Sequence, residues 1–412
     1  PFLFLLPFIT FGQLRVLDNI EALENDLLTE ADEVVFIKGY KNPGDGGEGF
    51  FMFKADETRT FDGMFIALKE GLDSGRWVRI RYDYVRVDYF GAQPNDNEED
   101  TEAIQKAIDF SHAFGFPQIL IPPGTFLVDS LIIRNGTNIK GHYKGTTLRS
   151  YRSSKDSSGS LFKIDRNAVT NVAIENLNLN GNGHEKMCFL IEAVRDNEVH
   201  SGLWKSSFRN IEIRNFSSHG IFLKGGDSYS DYSPNQFISF ENVRVKRNSV
   251  PGTNALRIEG QNAQLSFLNC TFDAQRIEAD RPATSWNVYI EKRPEGSAVP
   301  AIIKFDTCTI QNAVGAIDIY GAQNISVENC WFENIQMAIR VREGALGINI
   351  ENNRFANASG FGGQTYGYIV SVEGESVVSF QRNLVAGNYS DLALKEKGSK
   401  ILASGNLPKK AN

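Results

Sequence analysis

The chain has no excess of positive charge: 43 lysines and arginines stand against 50 aspartates and glutamates, for a net charge of −7. A general nucleic-acid binder needs concentrated positive charge to neutralise phosphates, so that class is disfavoured, and any anionic ligand has to be met by a local basic patch. Cysteine is sparse, at four residues. There is no metal-ligand spacing, no glycine-rich loop placed to cradle phosphate and no nucleophilic serine motif. No cofactor is therefore required, although acidic side chains could hold calcium. After the first dozen residues no apolar run approaches the roughly 20 residues that span a bilayer, so no membrane span is expected. Disorder does not fit a chain that is 41% hydrophobic and 23% charged.

The first dozen residues (PFLFLLPFITFG) are nearly all apolar, with Thr10 and Gly12 at offsets suited to signal cleavage. Residues 1–12 read as a secretory-signal remnant on a sequence missing its first residues, against the alternatives of a buried strand or a short anchor. A secreted or periplasmic protein follows from that reading; separately, the chain is expected to be a monomer. Residues 13–84 hold strand-like runs at Val34–Ile37, Phe50–Phe53, Met64–Leu68 and Trp77–Arg81, punctuated by the turn cluster Pro43 to Gly47 and by Gly71 to Gly75. This stretch is expected to be a small β-rich N-terminal domain.

Residues 85–412 begin with Val85–Ala92 and the helix pattern Thr101–Asp109, where Ile104, Ala107 and Ile108 recur on one face and Asp100 or Thr101 can cap the start. Beyond residue 160 a short theme repeats: Ile174–Leu179, Phe208–Ile213, Phe240–Val245, Phe267–Phe272, Phe305–Ile310, Val327–Phe332, Ile350–Phe355 and Phe380–Val385. Its central residue, usually Asn, recurs every 22 to 38 residues, the range of a solenoid coil with variable loops. Asn suits a tight bend because it tolerates left-handed backbone. Cys270, Cys308 and Cys330 follow that bend and are expected to stack inward as free thiols, while Cys188 stays unassigned.

A second theme runs through Gly220–Lys224, Ala255–Glu259, Asn287–Glu291, Ala316–Tyr320 and Ala338–Arg342. Alternation sends Ile221, Leu256, Val288, Ile317 and Ile339 inward and leaves Phe222, Arg257, Tyr289, Asp318 and Arg340 on the outer face of one parallel sheet. The expected fold is therefore all-β, a parallel β-helix with the helix at Thr101 as its lid; a β-sandwich or propeller is the weaker competitor.

With Asp88–Ala92, Asp100–Ile108 and Ile121–Phe126 in view, the chain resembles the pectate-lyase-like superfamily of right-handed parallel β-helices, in the branch holding rhamnogalacturonase-like and epimerase-like proteins and phage tailspikes. The stretch from Gly44 to Arg79 is similar to the small domain that often precedes that fold, and Asn235–Val245 with Leu256–Gln261 resembles alginate-lyase-type members. The resemblance implies action on a polysaccharide. Ser218–Ile221 resembles the hydrolases' His-Gly element and Leu256–Glu259 their basic element, but their aspartate elements are missing at Leu177–Gly183.

β-Elimination from a uronate needs a base, a group that neutralises the carboxylate and an acid for the leaving oxygen. Residues 200–260 hold eight Lys and Arg against five Asp and Glu, a patch suited to an anionic chain. The leading expectation is a polysaccharide lyase acting on alginate or a pectin-like substrate. Arg257 would hold the uronate carboxylate, Lys224 or His219 would be the base, and Tyr229 or Tyr232 the acid. Phe222, Lys246, Arg247, Tyr289, Asp318 and Arg340 would line the substrate groove. A hydrolase using carboxylates among Asp227, Glu259 and Asp318 comes second. A non-catalytic glycan-binding protein comes third.

Overall fold

The computed structural model describes residues 14–408 except 28, 70, 81–82, 116, 143, 152–158, 184–186, 194, 197–198, 229–233, 247–253, 274–285, 294–295, 357–365 and 387–388. The expectation placed on residues 1–12 lies outside the described residues. The chain divides into two compact units, Pro1–Gln93 and Pro94–Asn412.

In the first unit, strands β1 (Arg15–Leu17), β2 (Val34–Ile37), β3 (Gly49–Lys54), β4 (Phe65–Ala67) and β5 (Arg76–Arg79) form one sheet in the order β1-β2-β3-β5-β4. Leu23, Val35, Ile37, Phe51 and Trp77 make its core. Arg79 is buried yet satisfied. Its guanidinium donates to the carbonyls of Gly63 (2.8 Å), Gly47 (2.9 Å) and Glu48 (3.1 Å) and lies between the rings of Phe51 and Tyr89. Burial lowers its pKa to about 10.

The second unit is a right-handed parallel β-helix. Each coil is a strand, a left-handed bend, a second strand, a loop and a third strand, and the strands of the long sheet pair in parallel with their counterparts one coil away, while Arg195–Asp196 and Val199–His200 form a separate antiparallel pair. The bend falls on the centre of the repeated theme in all eight cases: Asn176, Asn210, Asn242, Asn269, Thr307, Asn329, Asn352 and Arg382 have φ between 51° and 62°. Such backbone costs most residues about 1–2 kcal/mol, which explains the preference for Asn. Asn242 donates to Asn210 (2.9 Å) and Asn210 to Asn176 (3.0 Å), so the bends are laced together as well as tolerated.

The core is a set of columns. Phe208, Phe240, Phe267 and Phe305 stack with centroids 4.8, 5.0 and 4.9 Å apart, which is the spacing of neighbouring strands. Cys270, Cys308 and Cys330 form the expected inward column of free thiols, directed at the carbonyls of Phe240, Phe267 and Phe305, and Cys188 is a fourth buried free thiol. In the following coils Asn353, Asn383 and Asn406 continue this role with side-chain bonds to Val327, Ile350 and Phe380.

Helix α1 (Thr101–Ala113) closes the open end, and the way it does so differs from the sequence expectation. Asp100 precedes the helix, but its carboxylate accepts no cap bond from the helix. It accepts instead from Leu127 N–H (3.0 Å), Thr101 accepts from Asp129 (2.7 Å), and Gln105 exchanges two bonds with Ile132. No strand of a preceding coil covers the first coil at Leu127, Asp129 and Ile132, so these donors would otherwise be unpaired. The cap residues satisfy the sheet edge rather than the helix.

Candidate functional site

Six strands stack into the sheet that carries the site: β6 (Met187–Glu192), β7 (Ile221–Lys224), β8 (Leu256–Glu259), β9 (Trp286–Glu291), β10 (Thr309–Tyr320) and β11 (Trp331–Arg342). Ile221, Leu256, Val288, Ile317 and Ile339 are fully buried beneath it. Two outward ladders result. One runs Leu190, Phe222, Arg257, Tyr289, Asp318, Arg340; the other runs Glu192, Lys224, Glu259, Glu291, Tyr320, Arg342. Parallel pairing fixes their spacing at about 4.8 Å per rung.

Arg257 is the hub of the first half. Its guanidinium lies 5.5 Å from the Phe222 ring and 5.6 Å from the Tyr289 ring, so it is sandwiched along its own ladder. Its Nη2 meets Glu259 at 3.3 Å and also contacts Glu291. Glu259 in turn lies 3.0 Å from Nε of Arg293, which is ion-paired to Asp227. Burial pushes the Glu259 carboxyl up, opposed by Arg257 and reinforced by Glu291. Lys224 is ion-paired to Glu192.

His219 sits half-buried before β7, its ring edge-on to Phe222 at 5.4 Å. Burial and the neighbouring Arg257 hold its pKa near 4, so the ring is neutral at neutral pH. Nδ1 accepts from the Asn254 N–H at 3.3 Å, which puts the proton on Nε2.

The second half centres on Asp318. It is fully buried, and its two oxygens are taken by Arg340 (2.5 and 3.3 Å) and Arg342 (2.9 and 3.1 Å). Arg342 also donates to the Tyr289 hydroxyl at 3.0 Å.

The structure thus brings His219, Phe222, Lys224, Arg257, Tyr289, Asp318 and Arg340 onto or beside one outer sheet. Lys246 is on a different ladder, between Arg214 and Asp273, where it pairs with Glu212 at 2.9 Å. Tyr229, Tyr232 and Arg247 lie outside the described residues. Among the described residues, the basic side chains of 200–260 do not gather on one face. Successive segments of a coil face different directions, and Arg209, Lys224, Lys246 and Arg257 each land against a carboxylate on a neighbouring rung. Glu192, Glu291, Arg293 and Arg342 were not singled out from sequence. Glu291 and Arg342 were reachable, since each ends an alternating segment one outward step past a residue already chosen. Among the described residues no group of three or more His, Cys, Asp and Glu side chains is arranged to hold a metal.

Register, coil geometry and an outer ladder of charged and aromatic side chains define a pectate-lyase-like parallel β-helix. Residues 84–291 match the model of the family described as rhamnogalacturonase A/epimerase, pectate lyase-like, and the chain belongs to that family. Residues 16–82 match the phage tail protein small four-stranded β-sheet domain; the sheet of this unit has five strands, with β1 parallel to β2.

No curated protein matches the chain. Among solved structures it is similar to the tailspike gp49 of Acinetobacter baumannii bacteriophage Fri1, a capsular polysaccharide depolymerase (16% identity, TM-score 0.55, covering 95% of this chain and 76% of that one). It is similar to the enzymatically active domain of bacteriophage CBA120 tailspike protein 2 (13%, 0.60, 89% of this chain), of which it spans only 57%. It is also similar to the A-module of the Azotobacter vinelandii mannuronan C-5 epimerase AlgE4 (16%, 0.55, 79% and 98%). At these identities the likeness is one of fold.

Proposed function

We propose that this chain is a polysaccharide depolymerase that works outside a cell and cleaves its glycan on the outer sheet at Arg257, by hydrolysis. The observation that carries this reading is the carboxylate pair: Glu259 and Glu291 face each other across adjacent strands and close on one nitrogen of Arg257. Two hydrogen-bond lengths through one nitrogen put their oxygens within about 6 Å of each other. Glycoside hydrolysis needs such a pair, an acid for the leaving oxygen and a carboxylate on the other side of the anomeric carbon. Glu259, whose pKa is raised, is the acid, and Glu291 is the carboxylate. Phe222 and Tyr289 stand on the adjacent ladder, on either side of Arg257.

β-Elimination is the second reading, with His219 or Lys224 as base and Arg257 on a uronate carboxylate. The neutral imidazole beside Arg257 favours it. Against it, Lys224 is already ion-paired to Glu192. The match of residues 16–82 to a phage tail domain and the tailspike folds support a particle-borne setting over a freely secreted one. Hydrolysis at this pair calls on no calcium, so chelation leaves the rate unchanged.

The test is incubation with alginate, pectate and neutral bacterial capsular glycans, following reducing ends together with the ultraviolet absorbance of an unsaturated uronate. New reducing ends without absorbance are expected. Absorbance rising with them would establish elimination, and binding without product on any glycan would establish the non-catalytic alternative.

A further inference from the structure

Positive charge is cancelled around the proposed cleavage centre and reappears further along the same face. Lys224, Arg257 and Arg293 are matched there by Glu192, Glu259, Glu291 and Asp227. Two rungs beyond Glu291, about 10 Å away, Arg340 and Arg342 share the single carboxylate of Asp318. Two guanidinium groups on one carboxylate leave a full positive charge over.

That charge is held rigidly. Both arginines grip Asp318 through Nε and Nη2, and among the described residues neither Nη1 has a hydrogen-bond partner. Each guanidinium also lies over a ring, Arg340 at 4.8 Å from Trp286 and Arg342 at 4.6 Å from Tyr320. Lys292 adds a third cation 5.5 Å from the Tyr320 ring, held by Glu343 only at 4.0 Å. Both arginine side chains keep about a quarter of their surface in solvent, whereas Asp318 keeps none. A solvated surface pair would not place its carboxylate beneath two fixed forks. Fixed guanidinium forks over aromatic rings are suited to planar oxyanions, because little side-chain freedom remains to be lost on binding.

The geometry points to a second binding site on this face: Arg340 and Arg342 take an oxyanion carried by a sugar of the bound glycan, away from the scissile bond, with Asp318 as their positioning residue. The inference rests on the polysaccharide reading above and narrows the substrate to an anionic glycan. Asp318 does not meet the sugar itself. Its role is to aim the two forks.

The test is binding of the full chain to immobilised uronate-bearing, sulfated and neutral glycans, with Arg342→Gln, Arg342→Lys, Arg340→Gln and Asp318→Asn compared with wild type after each is checked by thermal unfolding. Wild type is expected to bind anionic glycans, the uronate and sulfate arms telling which oxyanion it takes. Each Gln variant should weaken that binding about tenfold or more, with Arg342→Lys intermediate. Asp318→Asn raises the net charge by one, so loose electrostatic attraction would strengthen binding, whereas loss of the fixed forks weakens it. Binding of neutral glycans only, binding of none, Gln variants that bind like wild type, or tighter binding by Asp318→Asn would each overturn the site. Cleavage of a neutral glycan would leave the hydrolytic centre standing and remove this site; anionic binding without cleavage would do the reverse.

Discussion

Glu259 and Glu291 stand opposite each other on neighbouring strands and both close on Nη2 of Arg257. A parallel sheet can deliver this arrangement with little design, because in-register pairing repeats one outward position every rung. Two acidic residues at the same position of consecutive coils become neighbours. Arg257, two residues before Glu259, supplies the cation that lets them approach.

The pH dependence follows from Glu259. Its carboxyl is raised above the usual glutamate value of about 4.3, chiefly by burial and further by Glu291, against the pull of Arg257. A general acid works while protonated, so the rate falls as pH rises through the raised pKa. A pH–rate profile on a cleaved glycan is expected to show an alkaline limb above the normal glutamate range. Activity that instead rises steadily into alkaline pH would speak for elimination by a base.

The stereochemistry follows from the short separation of the pair. Carboxyl groups about 5–5.5 Å apart leave no room for a water between sugar and carboxylate, and the second group attacks the anomeric carbon. Proton NMR of fresh product should show retention of anomeric configuration. Inversion would mean that Glu291 is not the partner.

Phe267 sits within an unbroken stack between Phe240 and Phe305. Phe267→Ala empties one layer of a core with no alternative packing, at a cost of about 3–5 kcal/mol. Urea unfolding should show the midpoint fall accordingly, with the neighbouring coils most affected.

The bends can be tested in the same way. Asn242 has φ 52° and donates to Asn210. Asn242→Ala should cost about 1–2 kcal/mol, whereas Asn242→Gly keeps the backbone at ease and loses mainly the side-chain bond. Equal losses in denaturant melts would mean that the left-handed backbone is not what selects Asn.

The fold was legible because a solenoid writes its geometry locally. The αL residue, the inward Cys or Asn and the alternating strands all lie within a dozen residues of one another, and each recurs. The bends at Thr307 and Arg382 show the limit of that code, since backbone geometry tolerated residues that composition would not have chosen. The proposed site was half legible. Alternation put Phe222, Arg257, Tyr289, Asp318 and Arg340 on one face, but charge counting along residues 200–260 misled, because chain neighbours there occupy different faces of the coil. Glu192 lies 32 residues before the lysine it neutralises and Glu291 lies 34 beyond Arg257. Only a coil register brings such residues together: the second theme already sets Glu291 level with Glu259, whereas Glu192 ends a segment that the theme does not include.

The most direct test of the account is the rate of reducing-end release by Glu259→Gln and Glu291→Gln beside the wild type on one cleaved glycan. Each substitution removes one half of the acid and carboxylate pair while keeping its shape, so each is expected to lower the rate by at least about a hundredfold with the thermal melt little changed. Near-normal rates in both variants, with loss of activity in His219→Ala and an unsaturated product, would contradict it.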